Sequence, residues 1–391
     1  MTITDSDTIS DTHEGAGTRT GVPFLDLKAQ SAEIADDVLP VWREQLLSAS
    51  FIGGSSVEAF EQEYAEYIGV DHVVGVANGT DALEVAYRAL GLGTGDEVIV
   101  PVNTFIATAE AITRVGATPV FVDVDEHLLI DADAVAAAIT PRTRAVVPVH
   151  LYGQTADVGA LAPIAEKHGL VIIEDAAQSQ GASSPAGRAG ALGRVAATSF
   201  YPGKNLGAGG DAGAVLTDDP EVAAFARNFS AHGSSVKYVH DRAGINSRLD
   251  AIQATVLRAK LRRLEGWNDA RRAAAARYTE MLAAVPAVVP PTMREGNRDV
   301  WHLYVVQVEE RDRVLAELNA SGIGAAVHYP HPLHLTPAYR NLGYRAGQFP
   351  VAEAAARRIL SLPMFPHLTS QQQEQVVGVL RKATARGSAA E

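Results

Sequence analysis

Short apolar runs alternate with stretches of helical periodicity along most of the chain. "HVVGVANG" (His72–Gly79) leads into "TDALEVAYRALGLG", where Leu83, Ala86, Tyr87 and Leu90 fall at helical spacing. "EVIVP" (Glu97–Pro101), "TPVFVDVD" (Thr118–Asp125), "RAVVPVHLYG" (Arg144–Gly153) and "LVIIEDAAQ" (Leu170–Gln178) follow as near-continuous apolar runs of strand length. Strands that are apolar on both faces belong in a sheet covered on both faces, so the pattern predicts a mainly parallel α/β unit. In such sheets ligands gather at the carboxyl ends of the strands.

The rhythm changes after about Asp250. "LDAIQATVLRAKLRRLEGWNDARRAAAARYTEML" reads as a long helix with a break near Gly266, and "VWHLYVVQV" as a strand. "DRVLAELNASGIG" is a helix closed by glycine, and "VAEAAARRILSLP" and "SQQQEQVVGVLRKA" are further helices. The expectation is a large α/β domain over residues 22–255 and a smaller α+β domain over 256–391, joined through the long helix. Residues 1–21, rich in Ser, Thr and Asp, are expected to form a disordered tail: they carry neither the basic start nor the apolar core of a signal peptide.

Composition narrows the function classes. The 391 residues are 47% hydrophobic, but no apolar run reaches the ~18 residues of a membrane span. A formal charge of −13 argues against nucleic acid or an anionic membrane as partner. With no cysteine, disulfides, thiolate catalysis and Cys-held metals drop out. A cytoplasmic location is the expectation.

One lysine has an unusual setting, Lys204 in "SFYPGKNLGAGGDAGAV". Four other features bear on it. Asp175 ends the apolar strand "LVIIED", where a carboxylate needs a cation or several donors, although a helix cap or structural ion pair would also serve. Gln178 follows three residues on. Gly79 and Thr80 open a helix after a strand, which makes an anion site or an ordinary turn. Phe105 in "NTFIAT" follows the strand ending at Pro101 and reads alone as core. Together they suit a ligand with a phosphate for the helix start, a flat ring for Phe105, a ring nitrogen for Asp175 and an aldehyde for Lys204. Pyridoxal phosphate has all four.

The chain resembles the DegT/DnrJ/EryC1/StrS group of sugar aminotransferases, of aspartate aminotransferase-like fold (pyridoxal-phosphate fold type I). The resemblance rests on "FIGGSSVEAFEQEYAEYIGV", "GVANGTDAL", "GDEVIVPVNTFIAT", "VHLYGQTAD", "IIEDAAQSQGA", "SFYPGKNLGAGGDAG" and "GINSRLDAIQA", in order, between Val22 and Thr369. It implies that Lys204 holds the aldehyde as a Schiff base and moves the proton. Asp175 would pair with the ring nitrogen, Gln178 with the ring hydroxyl, and Phe105 would stack on the ring. Ser199 and the Gly79–Thr80 backbone would hold the phosphate. Asn246 in "GINSRL" would reach the cofactor of a neighbouring subunit, making the protein a homodimer with shared sites. L-glutamate would donate the amino group, passing through the pyridoxamine phosphate form, to a keto sugar carried on a nucleotide. "SFYPGKNLGA" and "HGSSVKYVHDRAGINSRLD" look more like the enzymes of dTDP-3-keto sugars, in which Tyr201, Lys237, His328 and Tyr329 approach the hexose or the nucleotide phosphates. A 4-keto sugar, hexose or pentose, is the alternative. "ARNFSAHGSS" departs from the shorter "RNYG" of close relatives and lengthens the loop carrying Lys237.

His328, His331 and His334 in "VHYPHPLHLTPAY" are spaced like metal ligands, but two prolines break any helix that would align them, so a substrate-facing loop without metal is expected. The cations of "RAKLRRLEGWNDARR" read as a solvated helix face. The rival classes are a dehydratase relative, a binding or regulatory protein that keeps the fold without turnover, and a metal hydrolase. The first is at odds with Lys204 and the absence of cysteine, and the second with the complete set of Lys204, Asp175, Gln178 and Ser199.

Overall fold

The computed structural model describes residues 21–385; the tail expected at residues 1–21 lies, but for Gly21, outside the described residues. The apolar runs form a seven-stranded sheet of β1 (His72–Val76), β2 (Glu97–Pro101), β3 (Thr118–Val122), β4 (Thr143–Val146), β5 (Val171–Asp175), β6 (Val195–Ser199) and β7 (Gly213–Thr217). Their order is β1-β7-β6-β5-β4-β2-β3. Neighbours from β6 to β3 run parallel, and β7 runs against both β6 and β1.

Both faces of this sheet are covered, as its unbroken apolar strands require. In β2, Val98 and Val100 enter one core with the helices Gly79–Ala89 and Ala107–Arg114, while Ile99 enters another beneath the helix Val158–His168. Two of the flanking helices start where a side chain supplies a cap. Asn78 Oδ1 accepts from the Asp81 amide at 2.8 Å, and Asp157 Oδ1 from that of Ala160 at 2.9 Å.

A second, antiparallel sheet contains β8 (Val288–Val289), β9 (Tyr304–Val308) and β10 (Ile359–Leu362). The helix Ala251–Leu282 connects the two cores, with Leu257 and Leu264 against the larger sheet and Tyr278 and Leu282 in the smaller unit. The boundary drawn at 255/256 falls inside this helix. Val22, at the other end of the chain, pairs with Ile323 and is buried in the smaller unit's core.

Four expectations are corrected. No break occurs at Gly266: its neighbours Leu264 and Trp267 are both buried, and that packing outweighs the ~1 kcal/mol that an interior glycine costs a helix. The helix expected over "VAEAAARRILSLP" ends at Arg358, because Ile359 and Leu360 supply buried side chains to opposite faces of β10. The regular strand in the run "RAVVPVHLYG" ends at Val146, before Pro148, which lacks the amide hydrogen a strand interior needs; beyond it the run keeps to the sheet through a single bridge between Val149 and Asp175. Two cations of "RAKLRRLEGWNDARR" are not solvated. Arg271 is 2% exposed and donates to the carbonyls of Trp301 and Met364, and Lys260 is 5% exposed.

Candidate active site

Asp175 stands at the carboxyl end of β5, buried, with its orientation fixed by two donors. Oδ2 accepts from the Thr108 hydroxyl at 2.7 Å and Oδ1 from the Ala177 amide at 3.2 Å. Thr108 is itself held by Thr104 at 2.8 Å, four residues earlier in the loop that leads into the helix. Beside it, β6 ends at Ser199, whose carbonyl accepts from Gln180 Nε2 at 2.9 Å.

The start of the helix Gly79–Ala89 approaches Ser199 so closely that a Cβ on Gly79 would lie 2.6 Å from the Ser199 Cβ. At Gly213, paired with Ser199 across β6 and β7, a Cβ would lie 2.5 Å from the Asn78 carbonyl. Two glycines therefore bring a serine hydroxyl against a helix N-terminus, where the first amide hydrogens lack intrahelical acceptors. An anion is the natural partner of that cradle.

Lys204 follows Ser199 in a loop closed by Lys204 N–H to the Tyr201 carbonyl (2.8 Å) and Ala208 N–H to the Phe200 carbonyl (2.8 Å). Gly207 is needed for the loop's own closure, since a Cβ there would lie 2.3 Å from the Pro202 oxygen. Next to Lys204, the buried Asn205 donates to Asn268 Oδ1 at 2.8 Å and to the Val300 carbonyl at 2.9 Å, and its Oδ1 lies 3.2 Å from His302 Nδ1. Burial lowers the Lys204 amine to about 8, with the Asp175 charge pulling it back up. Burial, and then the Lys204 charge, lowers His328 to about 4 and holds His302 well below the ordinary imidazole range.

The wall opposite is aromatic. Gln178 accepts from the Tyr152 amide at 2.7 Å and donates to the Tyr329 hydroxyl at 3.1 Å. The half-exposed Phe105 ring lies 5.6 Å from that of Tyr329. His328 Nδ1 lies 2.8 Å from Ser361 Oγ, and the Tyr152 hydroxyl donates to the His328 carbonyl. Hydrogen bonds, ring contacts and charge thus link Lys204, Asp175, Gln178, Phe105, His328 and Tyr329, with Ser199, Gly79 and Thr80 at the adjoining strand and helix ends.

Tyr201 is half exposed at the mouth of the loop. Lys237 and Asn246 stand apart from this network. Lys237 is on the exposed hairpin Ser234–His240, its ammonium 5.2 Å from the Tyr238 ring, and Asn246 is exposed in a segment that bridges Ala231. The neighbouring Ser247 donates to Asp81 Oδ2 at 2.8 Å, tying that segment to the Gly79 helix.

Sequence reading missed Thr108, His302, Asn205 and Tyr152. The i,i+4 spacing of Thr104 and Thr108 in "NTFIATA" was an available signal; the others depend on segments far apart in sequence. The three histidines diverge: His334 is buried beside Phe349, with Nε2 3.1 Å from Glu353 Oε1, whereas His328 binds Ser361. Among the described residues, no three His, Cys, Asp or Glu side chains group to hold a metal.

The sequence model of the DegT/DnrJ/EryC1/StrS aminotransferase family matches residues 32–381. The chain is 48% identical to the dTDP-3-amino-3,4,6-trideoxy-alpha-D-glucose transaminase of Streptomyces venezuelae, covering 93% of this chain and 97% of that protein. The crystal structure of S. venezuelae DesV in complex with a ketimine intermediate superposes with a TM-score of 0.90 at 48% identity, over 93% of this chain and 98% of that one. That of NtdA from Bacillus subtilis, with bound cofactor PMP, gives 0.86 at 32% identity, over 95% and 87%.

Proposed function

The chain belongs to the DegT/DnrJ/EryC1/StrS aminotransferase family, and from that premise we propose that it transfers an amino group from glutamate to C3 of a dTDP-linked 3-keto deoxysugar, using pyridoxal phosphate. The observation that carries the reading is the meeting of a lysine amine lowered to about 8 with an oriented carboxylate at the end of the neighbouring strand. The residues present suit the cofactor. The Gly79–Ser199 cradle takes a phosphate, Asp175 a ring nitrogen, Gln178 a ring hydroxyl and Phe105 a ring face.

When bound, pyridoxal phosphate supplies an aldehyde for the lysine and an electron-withdrawing ring that stabilises negative charge at the amino carbon. Lys204 must be neutral to attack, and its lowered basicity provides that form at mildly alkaline pH. Asp175, oriented by Thr108, keeps a proton on the ring nitrogen. With the cofactor bound, the Lys204 Nζ would be the base that takes the proton from the donor's α-carbon and the acid that gives it back. Asn205, pinned by Asn268 and Val300, limits the reach of that amine.

Tyr201, His328 and Tyr329 face the sugar. Lys237 and Asn246 serve the site of a second copy, so the working unit is a homodimer. The high exposure of Val236 (65%) and Tyr238 (82%), flanking Lys237, supports that reading.

The test converts the cofactor-loaded protein with glutamate, then offers dTDP-3-keto-6-deoxyglucose and dTDP-4-keto-6-deoxyglucose separately while the visible absorbance is followed. Recovery with the 3-keto sugar alone is expected. Recovery with the 4-keto sugar alone overturns the regiochemistry, and failure to react with glutamate overturns the transaminase reading.

A further inference from the structure

Two cavities meet at Asp299, the inner one behind the Tyr152 wall of the candidate active site. The inner one, about 100 Å³, lies between Leu128 and Tyr152 on the side of the large sheet and Val305 and Gln307 of β9. The outer is an open groove of about 650 Å³ along Ala276 and Thr279 of the long helix. Asp299 and Trp301 line both. The Asp299 side chain is almost fully buried, at 3% exposure, and its Oδ1 has no hydrogen-bond partner among the described residues. A buried oxygen left unpaired is costly, the more so when it is charged. Burial pushes this carboxyl up to about 7.

The charged groups around it do not neutralise it. Arg272, from the long helix, donates to the main-chain carbonyl of Asp299 at 3.3 Å and is paired with Glu265 and Asp269. Arg298 is paired with the same two acids. On the sheet side, His127 Nδ1 lies 2.9 Å from Thr292 Oγ1, with Glu126 exposed at the rim, and Glu280 is exposed beside the groove. Arg272 and Arg298 of the groove wall are tied to Glu265 and Asp269, which leaves Glu126 and Glu280 as the remaining charges at the rim. The wall is aromatic at Trp301 and Tyr152, the buried Gln154 is engaged by Thr292 and Arg294, and the buried group left unpaired is the Asp299 acceptor. An anion is repelled there. A cation gains both the carboxylate and the aromatic faces.

We propose that the Asp299 cavity binds a small primary ammonium group, which donates to Asp299 and packs against Trp301 and Tyr152. The inner volume limits the ligand head to a few heavy atoms, and the groove leaves room for an alkyl tail. Binding a cation favours the ionised carboxyl, so it displaces the proton that Asp299 holds below neutrality.

The experiment is thermal unfolding of the full-length, cofactor-loaded protein with methylammonium chloride, against sodium chloride and tetramethylammonium chloride at equal ionic strength. A saturable rise in Tm is expected with methylammonium only. Its apparent affinity should be about tenfold weaker at pH 6 than at pH 8, because roughly a tenth of the carboxyl is ionised at pH 6 and most of it at pH 8. Asp299→Asn should abolish the response. The proposal is overturned by no response, by an equal response to tetramethylammonium, by a response independent of pH, or by its survival in Asp299→Asn. Should that variant not fold, the pH ratio in the unaltered protein and the change in Trp301 fluorescence on titration decide the matter.

Discussion

Replacing Gly79 by alanine places a methyl group 2.6 Å from the Ser199 Cβ and 3.2 Å from its Cα and Oγ. Carbon atoms settle at about 3.5–4.0 Å, so one side must retreat by roughly 1 Å. Ser199 cannot retreat easily. Its carbonyl is held by Gln180, and its strand partner Gly213 is pressed against Asn78. The helix start must yield, at a cost of about 1–3 kcal/mol by analogy with overpacked cores. If that displacement opens the anion cradle, cofactor affinity falls roughly 5- to 150-fold. The assay pairs thermal unfolding of the apoprotein with titration of pyridoxal phosphate by its visible absorbance. Gly266→Ala is the control: its Cβ meets nothing within 4 Å, so it should stabilise the long helix by about 0.5–1 kcal/mol and leave cofactor binding unchanged. If Gly79→Ala matches the unaltered protein in both Tm and affinity, the cradle is not where the geometry puts it.

Three further outcomes follow from buried groups. The rate at which the apoprotein captures pyridoxal phosphate should rise with pH around a midpoint near 8, as Lys204 loses its proton; a flat profile from pH 6 to 9 contradicts the lowered amine. Lys260→Met should stabilise the fold by up to about 3 kcal/mol at pH 7. Its folded pKa of about 8 lies below the unfolded value, so the unfolded chain binds the extra proton between pH 8 and 10.5; stability rises with pH there, and the gain from methionine should shrink across the same window in urea unfolding. Glu174→Ala should cost about 3–5 kcal/mol, because it strands the amides of Gly190, Leu192 and Gly193, each 2.7 Å away, and the fully buried His150 ring at 2.8 Å; a loss under 1 kcal/mol in the same assay would contradict that account.

Much of the site was legible because its chemistry is at odds with local propensity. An acid closing the run "LVIIE" and a lysine amid glycines stand out, although a helix cap or an ion pair would also serve the acid; the roles of the other residues came from the family resemblance. What the glycines do was less legible. Gly207 and Gly213 make room for the chain's own Pro202 and Asn78, contacts that no local pattern encodes. Thr108 and His302 look like ordinary helix and strand residues until the fold sets one against Asp175 and the other against Asn205. The same limit hid the switch at Ile359, where helical periodicity continues but β9 offers a strand partner, and the burial of Arg271, whose acceptors come from residues 301 and 364. Local spacing reports propensity, and tertiary contacts then choose among the structures it allows.

The most direct test of the account is covalent trapping. The cofactor-loaded protein is reduced with borohydride, digested and mapped by mass spectrometry. The account expects a phosphopyridoxyl label on Lys204, and no label there in Lys204→Ala. A label on another lysine, or none on the folded, loaded protein, contradicts the assignment of Lys204 as the residue that carries the chemistry.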